Sequence, residues 1–159
     1  MSYLKANYRN SASCCDDFIS GINYLEERSI SKAVYRFSRA YLCIADNDVN
    51  KMKYASYYGL ARVLCGDKGG LALCHYASQH EKKDGDVFLN LARAEYVYKN
   101  RKQAIDAIQQ GLKLDHQHMG LLLMSEMLGV RQRSAVPFLS RSHLLNRVVG
   151  RLMRRRSQK

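Results

Sequence analysis

Residues 21–40 decide the fold: Gly21-Ile22-Asn23-Tyr24-Leu25-Glu26-Glu27-Arg28-Ser29-Ile30-Ser31-Lys32-Ala33-Val34-Tyr35-Arg36-Phe37-Ser38-Arg39-Ala40. The polar break Glu26-Glu27-Arg28-Ser29 separates two runs with helical spacing. Before it, Phe18, Ile22 and Leu25 recur at i, i+4 and i+7, one face of a helix. After it, Ala33, Phe37, Ala40 and Tyr41 form a second stripe, and Ser29 stands where an N-cap belongs. Gly21 in the first run and Ala33 in the second are small enough to let two helices approach closely. Phe37, four residues beyond Ala33, fills the space beside that contact. The stretch therefore reads as a helical hairpin.

The same reading continues along the chain. A third helix is predicted from about residue 50 to residue 64, with Asp48 before it as a candidate cap. Gly66-Asp67-Lys68-Gly69-Gly70 reads as a turn, and a fourth helix carries Leu71, Ala72, Cys74, Tyr76 and Ala77. Lys82-Lys83-Asp84-Gly85-Asp86 is the next turn, and a fifth helix covers 87–98. A sixth covers 103–114, and a seventh covers 119–128. No segment shows the alternation of a strand, so the chain is expected to be all-α. Three helical pairs then superpose. Ala33/Phe37, Ala72/Tyr76 and Ala104/Ile108 recur in the second helices, and Gly21, Gly59 and Ala92 recur in the first helices.

On these residues the chain resembles the tetratricopeptide repeat, a helical hairpin of about 34 residues. The first repeat carries Gly21, Tyr24, Ala33, Phe37 and Ala40 at the family spacing. The second keeps Tyr58-Gly59, Ala72 and Tyr76 with an apparent extra residue near Gly69-Gly70. The third keeps Leu91-Ala92 and Ala104, then ends in Leu112-Lys113-Leu114-Asp115, with His116 where the family has proline. The family's tryptophan is missing. The resemblance covers about residues 14–117, with 119–128 as a capping helix. A generic helical bundle with Ala/Gly contacts is the alternative architecture.

The resemblance implies a short superhelix whose concave face is lined by the first helix of each pair. The family's groove positions would fall on Cys15, Phe18, Ile22 and Glu26, then on Lys53, Ser56, Leu60 and Val63. The third repeat would add Asp86, Leu89, Arg93 and Tyr96. Leu60, Arg93 and Tyr96 are the expected centre of a contact with a partner peptide or helix, because interface energy concentrates in tyrosine, arginine and buried apolar anchors. Some of these apolar positions are equally suited to the core. The pattern with which family members clamp a C-terminal carboxylate is not evident. Small bacterial members of the family act as chaperones, adaptors or assembly factors, and the resemblance implies a role of that kind.

Charge divides the 159 residues unevenly. The net charge is +12, yet residues 131–159 hold nine Lys/Arg and no Asp or Glu. The expected organisation is a loose N-terminal segment (1–13), a repeat domain (14–130) and a basic segment (131–159). After Pro137 that segment reads as an amphipathic helix. Leu144, Leu145, Val148, Val149, Leu152 and Met153 form its apolar stripe, and Arg147, Arg151, Arg154, Arg155 and Arg156 supply charge. It could cap the repeats, dock a partner, mediate self-association as a homo-oligomer, or bind an anionic membrane or nucleic acid.

Chemistry of other kinds is thinly represented. Five cysteines, two of them adjacent and none in a CxxC spacing, do not read as a disulfide framework. They are expected to be mostly small buried hydrophobes in a reducing, cytoplasmic setting. Cys65, Cys74, His75 and His80 could be drawn as a metal set, but adjacent residues point to different sides of a helix. Gly66, Gly69 and Gly70 lack the Lys-Ser/Thr of a phosphate loop. No catalytic residue, metal or cofactor is expected.

Overall fold

The computed structural model describes residues 11–129; residues 1–10 and 130–159 lie outside the described residues, and with them the basic segment. The described chain consists of α1 (Ser11–Glu26), α2 (Ile30–Cys43), α3 (Lys51–Leu64), α4 (Gly69–His80), α5 (Gly85–Val97), α6 (Arg101–Leu114) and α7 (Met119–Met127). α1 pairs with α2, α3 with α4 and α5 with α6. The first helix of each pair also packs on the neighbouring hairpin, and α7 closes on α5 and α6.

The two kinds of turn alternate for a local reason. The first helices end on a left-handed residue: Arg28 (φ 59°), Gly66 (φ 89°), Lys99 (φ 62°) and, after α7, Gly129 (φ 59°). At the first three, two backbone bonds close the end. Ser29 N donates to Tyr24 O and Arg28 N to Leu25 O; Asp67 N donates to Arg62 O and Gly66 N to Val63 O; Asn100 N donates to Glu95 O and Lys99 N to Tyr96 O. This satisfies terminal carbonyls and reverses the chain within a few residues. Ser29 marks the start of α2 as expected, but its hydroxyl makes no capping bond. The second helices instead end on extended residues, Ile44, Glu81 and Asp115, which lead into the next hairpin or, after α6, into α7.

The hairpins close on small residues, and the second does so in a register different from the one expected. Ala33, Phe37 and Ala40 are buried; the equivalent residues are Gly70, Cys74 and Ala77, then Ala104, Ile108 and Gly111. Ala72 is exposed and Tyr76 is 45% exposed, so the Ala72/Tyr76 pairing is incorrect. The turn is not longer by a residue but shorter: Gly59 and Gly70 are 11 positions apart, against 12 for Gly21 to Ala33 and for Ala92 to Ala104. Gly66 alone reverses the chain, so Gly69 and Gly70 join α4. A Cβ on Gly59 would lie 2.8 Å from the Gly70 carbonyl oxygen, and a Cβ on Gly70 would run into the Gly59 carbonyl oxygen. Backbone meets backbone there, and neither side can yield.

Between hairpins the packing is aromatic, polar and ionic. Phe18 of α1 stacks on Tyr54 of α3 with centroids 4.1 Å apart, and meets Phe37 and Tyr57 at 5.6 and 5.1 Å. Within the first hairpin, Arg36 and Arg39 of α2 hold the buried Asp17 of α1 at 2.8 and 3.0 Å. Ser56 of α3 accepts from the Asn90 side chain of α5 at 3.1 Å, in the core. Glu95 of α5, also buried, accepts from Asn100 Nδ2 at 2.7 Å and meets His75 Nε2 of α4 at 2.7 Å. Each of these bonds satisfies a polar group that burial would otherwise penalise.

Cys14 and Cys43 are joined by a disulfide that ties the start of α1 to the end of α2. This corrects the expectation of reduced, hydrophobe-like cysteines. A hairpin of two similar helices brings those two ends together, although they are 29 residues apart in sequence. Cys15 and Cys65 are exposed, and only Cys74 is a buried free thiol. Burial, with Glu95 adding, pushes the Cys74 pKa up to about 12, so it does not act as a thiolate near neutral pH.

Lys53 of α3 binds Asp84 at 3.1 Å and Asp86 at 2.9 Å, across the junction of the second and third repeats. His118 joins the same group. Its Nδ1 accepts from Leu121 N, which caps α7, so its Nε2 carries the hydrogen donated to Asp86 at 3.1 Å. One cluster thus links α3, α5 and α7. Burial alone would raise the Asp86 carboxyl and lower the Lys53 ammonium. Their mutual pairing wins, holding Asp86 below and Lys53 above their ordinary values.

Two outcomes follow. Gly70→Ala should destabilise by about 1–3 kcal/mol, as overpacking does, while Ala72→Glu at the exposed position should change stability by less than about 0.5 kcal/mol. Urea titration checks both; the reverse order would place Ala72 in the hairpin contact. Because the folded Asp86 pKa lies below the unfolded one, its contribution is complete above the ordinary carboxylate range and is lost as pH falls through the folded value. Asp86→Asn should therefore lose less stability than the parent chain between pH 7 and about pH 3, measured by urea midpoints.

Candidate functional site

The first helices and α7 line one cleft of about 800 Å³. α1 contributes Leu25, and the turn behind it contributes Arg28 and Ile30. α3 contributes Leu60 and Leu64, one turn apart. α5 contributes Leu89, Arg93 and Val97 at i, i+4 and i+8, with Tyr96 beside them. α7 contributes Gly120, Leu123, Met124 and Met127. A helix places residues four apart on one face, so each wall is a short apolar stripe.

The floor is buried and the rim is open. Leu60 and Leu89 are 2% and 6% exposed, whereas Leu64, Tyr96, Val97, Leu123 and Met127 are each between 41% and 62% exposed. Large apolar side chains grouped this way on a folded surface are costly to leave in water and mark a contact site. Tyrosine and methionine suit such a surface. Tyr96 offers apolar area with a polar tip, and Met127 and Met124 adapt in shape. The charged residues lining the cleft are Arg28 and Arg93, both exposed, and no Asp or Glu lines it.

The structure sorts the expected groove residues into three groups. Leu60, Leu89, Arg93 and Tyr96 do line the cleft, as does the expected face of α5. Phe18, Ser56 and Val63 do not: all three are buried, Phe18 within the aromatic cluster and Ser56 against Asn90. Ile22 packs half-buried against the first core, and Lys53 and Asp86 are committed to their ion cluster. Cys15 and Glu26 are exposed but outside the cleft lining. The reason is geometric. Phe18, Lys53 and Ser56 are taken up by packing against neighbouring helices, whereas Leu25, Leu60 and Leu64, nearer the C-terminal ends of α1 and α3, line the cleft.

Several lining residues were not anticipated. Leu64 and Val97 continue the stripes of Leu60 and Arg93 by one turn, a signal present in the sequence. Leu123 and Met127 were assigned to a cap, and their four-residue spacing could have marked them as surface. Arg28 stands in the break between α1 and α2 with a left-handed backbone (φ 59°), and it lines the rim. Arg147, Arg151, Arg154, Arg155 and Arg156 lie outside the described residues.

The residues drawn as a metal set are dispersed. Cys65 is exposed after α3, Cys74 is buried, His75 faces Glu95, and His80 Nδ1 lies 2.8 Å from the Tyr76 carbonyl oxygen. Among the described residues no three His, Cys, Asp or Glu side chains gather to hold an ion. No described helix is long and apolar enough to cross a membrane.

No protein-family model matches the sequence, and no curated protein matches it. Among solved structures, the Arabidopsis OM64 TPR domain is similar, with a TM-score of 0.58 and 19% identity over 75% of this chain and 96% of that one. At that identity the likeness speaks for the fold. With the left-handed helix ends and the small-residue contacts recurring hairpin by hairpin, the described residues have a tetratricopeptide-like fold of three helical hairpins and a following helix.

Proposed function

We propose that this protein is an interaction module, an adaptor or chaperone-like factor, that holds a segment of another protein in the cleft of α1, α3, α5 and α7. The observation that carries this reading is the grouping of exposed Leu64, Tyr96, Val97, Leu123 and Met127 around a floor of Leu60 and Leu89. Such a surface gains by covering itself. Burial of apolar area stabilises by roughly 25 cal/mol per Å² before the costs of association. The fold supplies a rigid frame, since α1, α3 and α5 are each fixed by a hairpin partner and α7 packs on α5 and α6, and little ordering is needed on binding. The similarity to a TPR domain agrees with a role in protein contacts.

A photo-crosslinking amino acid placed at Tyr96, in the cleft, and separately at Tyr35, exposed on α2, tests the proposal in cells expressing the full chain. The Tyr96 position should give a discrete protein adduct that the additional change Leu123→Glu removes. The Tyr35 position should not give that adduct. Equal labelling from both positions, or an adduct indifferent to Leu123→Glu, would place the binding surface elsewhere.

A further inference from the structure

We infer that the segment held in the cleft is an acidic amphipathic one, whose apolar anchors are flanked by Asp or Glu carboxylates that pair with Arg28 and Arg93. The inference rests on the proposed use of the cleft and adds the chemistry of its occupant. Its starting point is how the arginines of residues 11–129 are employed. Arg36 and Arg39 hold Asp17, Arg62 holds Asp67 at 2.7 Å, and Arg101 donates to the Leu128 carbonyl oxygen. Arg28 and Arg93 both line the cleft, and neither has a carboxylate partner among the described residues.

Covering the cleft forces a choice on those two side chains. A wholly apolar occupant would strip water from two guanidiniums and give nothing back, a large penalty for a buried unpaired charge. An occupant with carboxylates at the right places converts that penalty into charge-assisted, bidentate hydrogen bonds, strengthened by the apolar walls around them. A basic occupant would meet like charge. The cleft therefore selects for carboxylates and against both neutral and basic segments. Residues 131–159 contain no Asp or Glu, so neither this segment nor its counterpart in a second copy offers the required chemistry.

The test pans a displayed library of random peptides against the full chain and against the variant Arg28→Glu/Arg93→Glu, with circular dichroism confirming that the variant is folded. Peptides selected by the parent chain should combine Leu, Ile, Met or Phe anchors with Asp or Glu. The charge-reversed variant should select Lys or Arg in their place. A selected acidic peptide should bind Arg28→Glu and Arg93→Glu each about tenfold or more weakly, and Leu123→Glu should abolish its binding. Selected peptides without acid enrichment, or binding unmoved by either charge reversal but lost in Leu123→Glu, would overturn the inference and leave the cleft as the binding surface. Binding unmoved by Leu123→Glu would overturn the use of the cleft itself. Arg28- and Arg93-dependent binding to phosphatidylserine vesicles without acidic peptides would also overturn the inference, by assigning the two arginines to a lipid surface.

Discussion

The backbones of α3 and α4 meet at Gly59 and Gly70, and the second hairpin takes its register from that approach. A side chain at either position would strike the other's carbonyl, so the two helices can only lie this close where both residues are glycine. Glycine inside a helix is costly by roughly 0.5–1 kcal/mol relative to alanine. The close packing gained across the hairpin offsets it. The flanking hairpins make the same crossing with other residues: Gly21 opposite Phe37, and Ala92 in the helix that faces Ala104 and Ile108. The second hairpin is the middle one, with α3 packed against α2 on one side and α5 packed against α3 and α4 on the other.

From that crossing the two surfaces of each first helix acquire different tasks. The N-terminal halves are consumed by packing: Phe18 against Tyr54, Ser56 against Asn90, and Lys53 against Asp84 and Asp86. Nearer the C-terminal ends, Leu64, Tyr96 and Val97 are exposed at the cleft rim beside the buried Leu60. A polar and ionic lock therefore sits at one end of the same helices that carry an apolar cleft at the other. The lock fixes the spacing of the walls, and the walls give the cleft its shape. Arg28 and Arg93 stand in the cleft without, among the described residues, the carboxylate partners that Arg36, Arg39 and Arg62 possess.

The pairing and register of the first hairpin were legible in the sequence, because Ala33, Phe37 and Ala40 differ sharply in size and a polar break stands before them. The second was legible as a hairpin but not in register. Glycine serves both as a helix breaker and as the smallest contact residue, and sequence spacing alone does not say which use applies to Gly69 and Gly70. The cleft was half legible. The groove positions that the resemblance implied coincide with the cleft lining at Leu60 on α3 and at Leu89, Arg93 and Tyr96 on α5, but they could not tell which residues of α1 and α3 are covered by neighbouring helices. Phe18 and Ser56 were misplaced for that reason. Leu123 and Met127 were overlooked because a terminal helix reads as a cap. The Cys14–Cys43 bond needs both helix ends brought together in space, and nothing in a separation of 29 residues announces it.

The register of α4 is the point on which the arrangement of walls and lock turns, and proton NMR on the full chain reads it directly. Nuclear Overhauser effects should connect the Gly59 Hα protons with those of Gly70, and none should connect Gly59 with the Ala72 methyl. A strong effect from Gly59 to the Ala72 methyl, with none to Gly70, would rotate α4, turn Tyr76 inward and contradict the placement of the second hairpin.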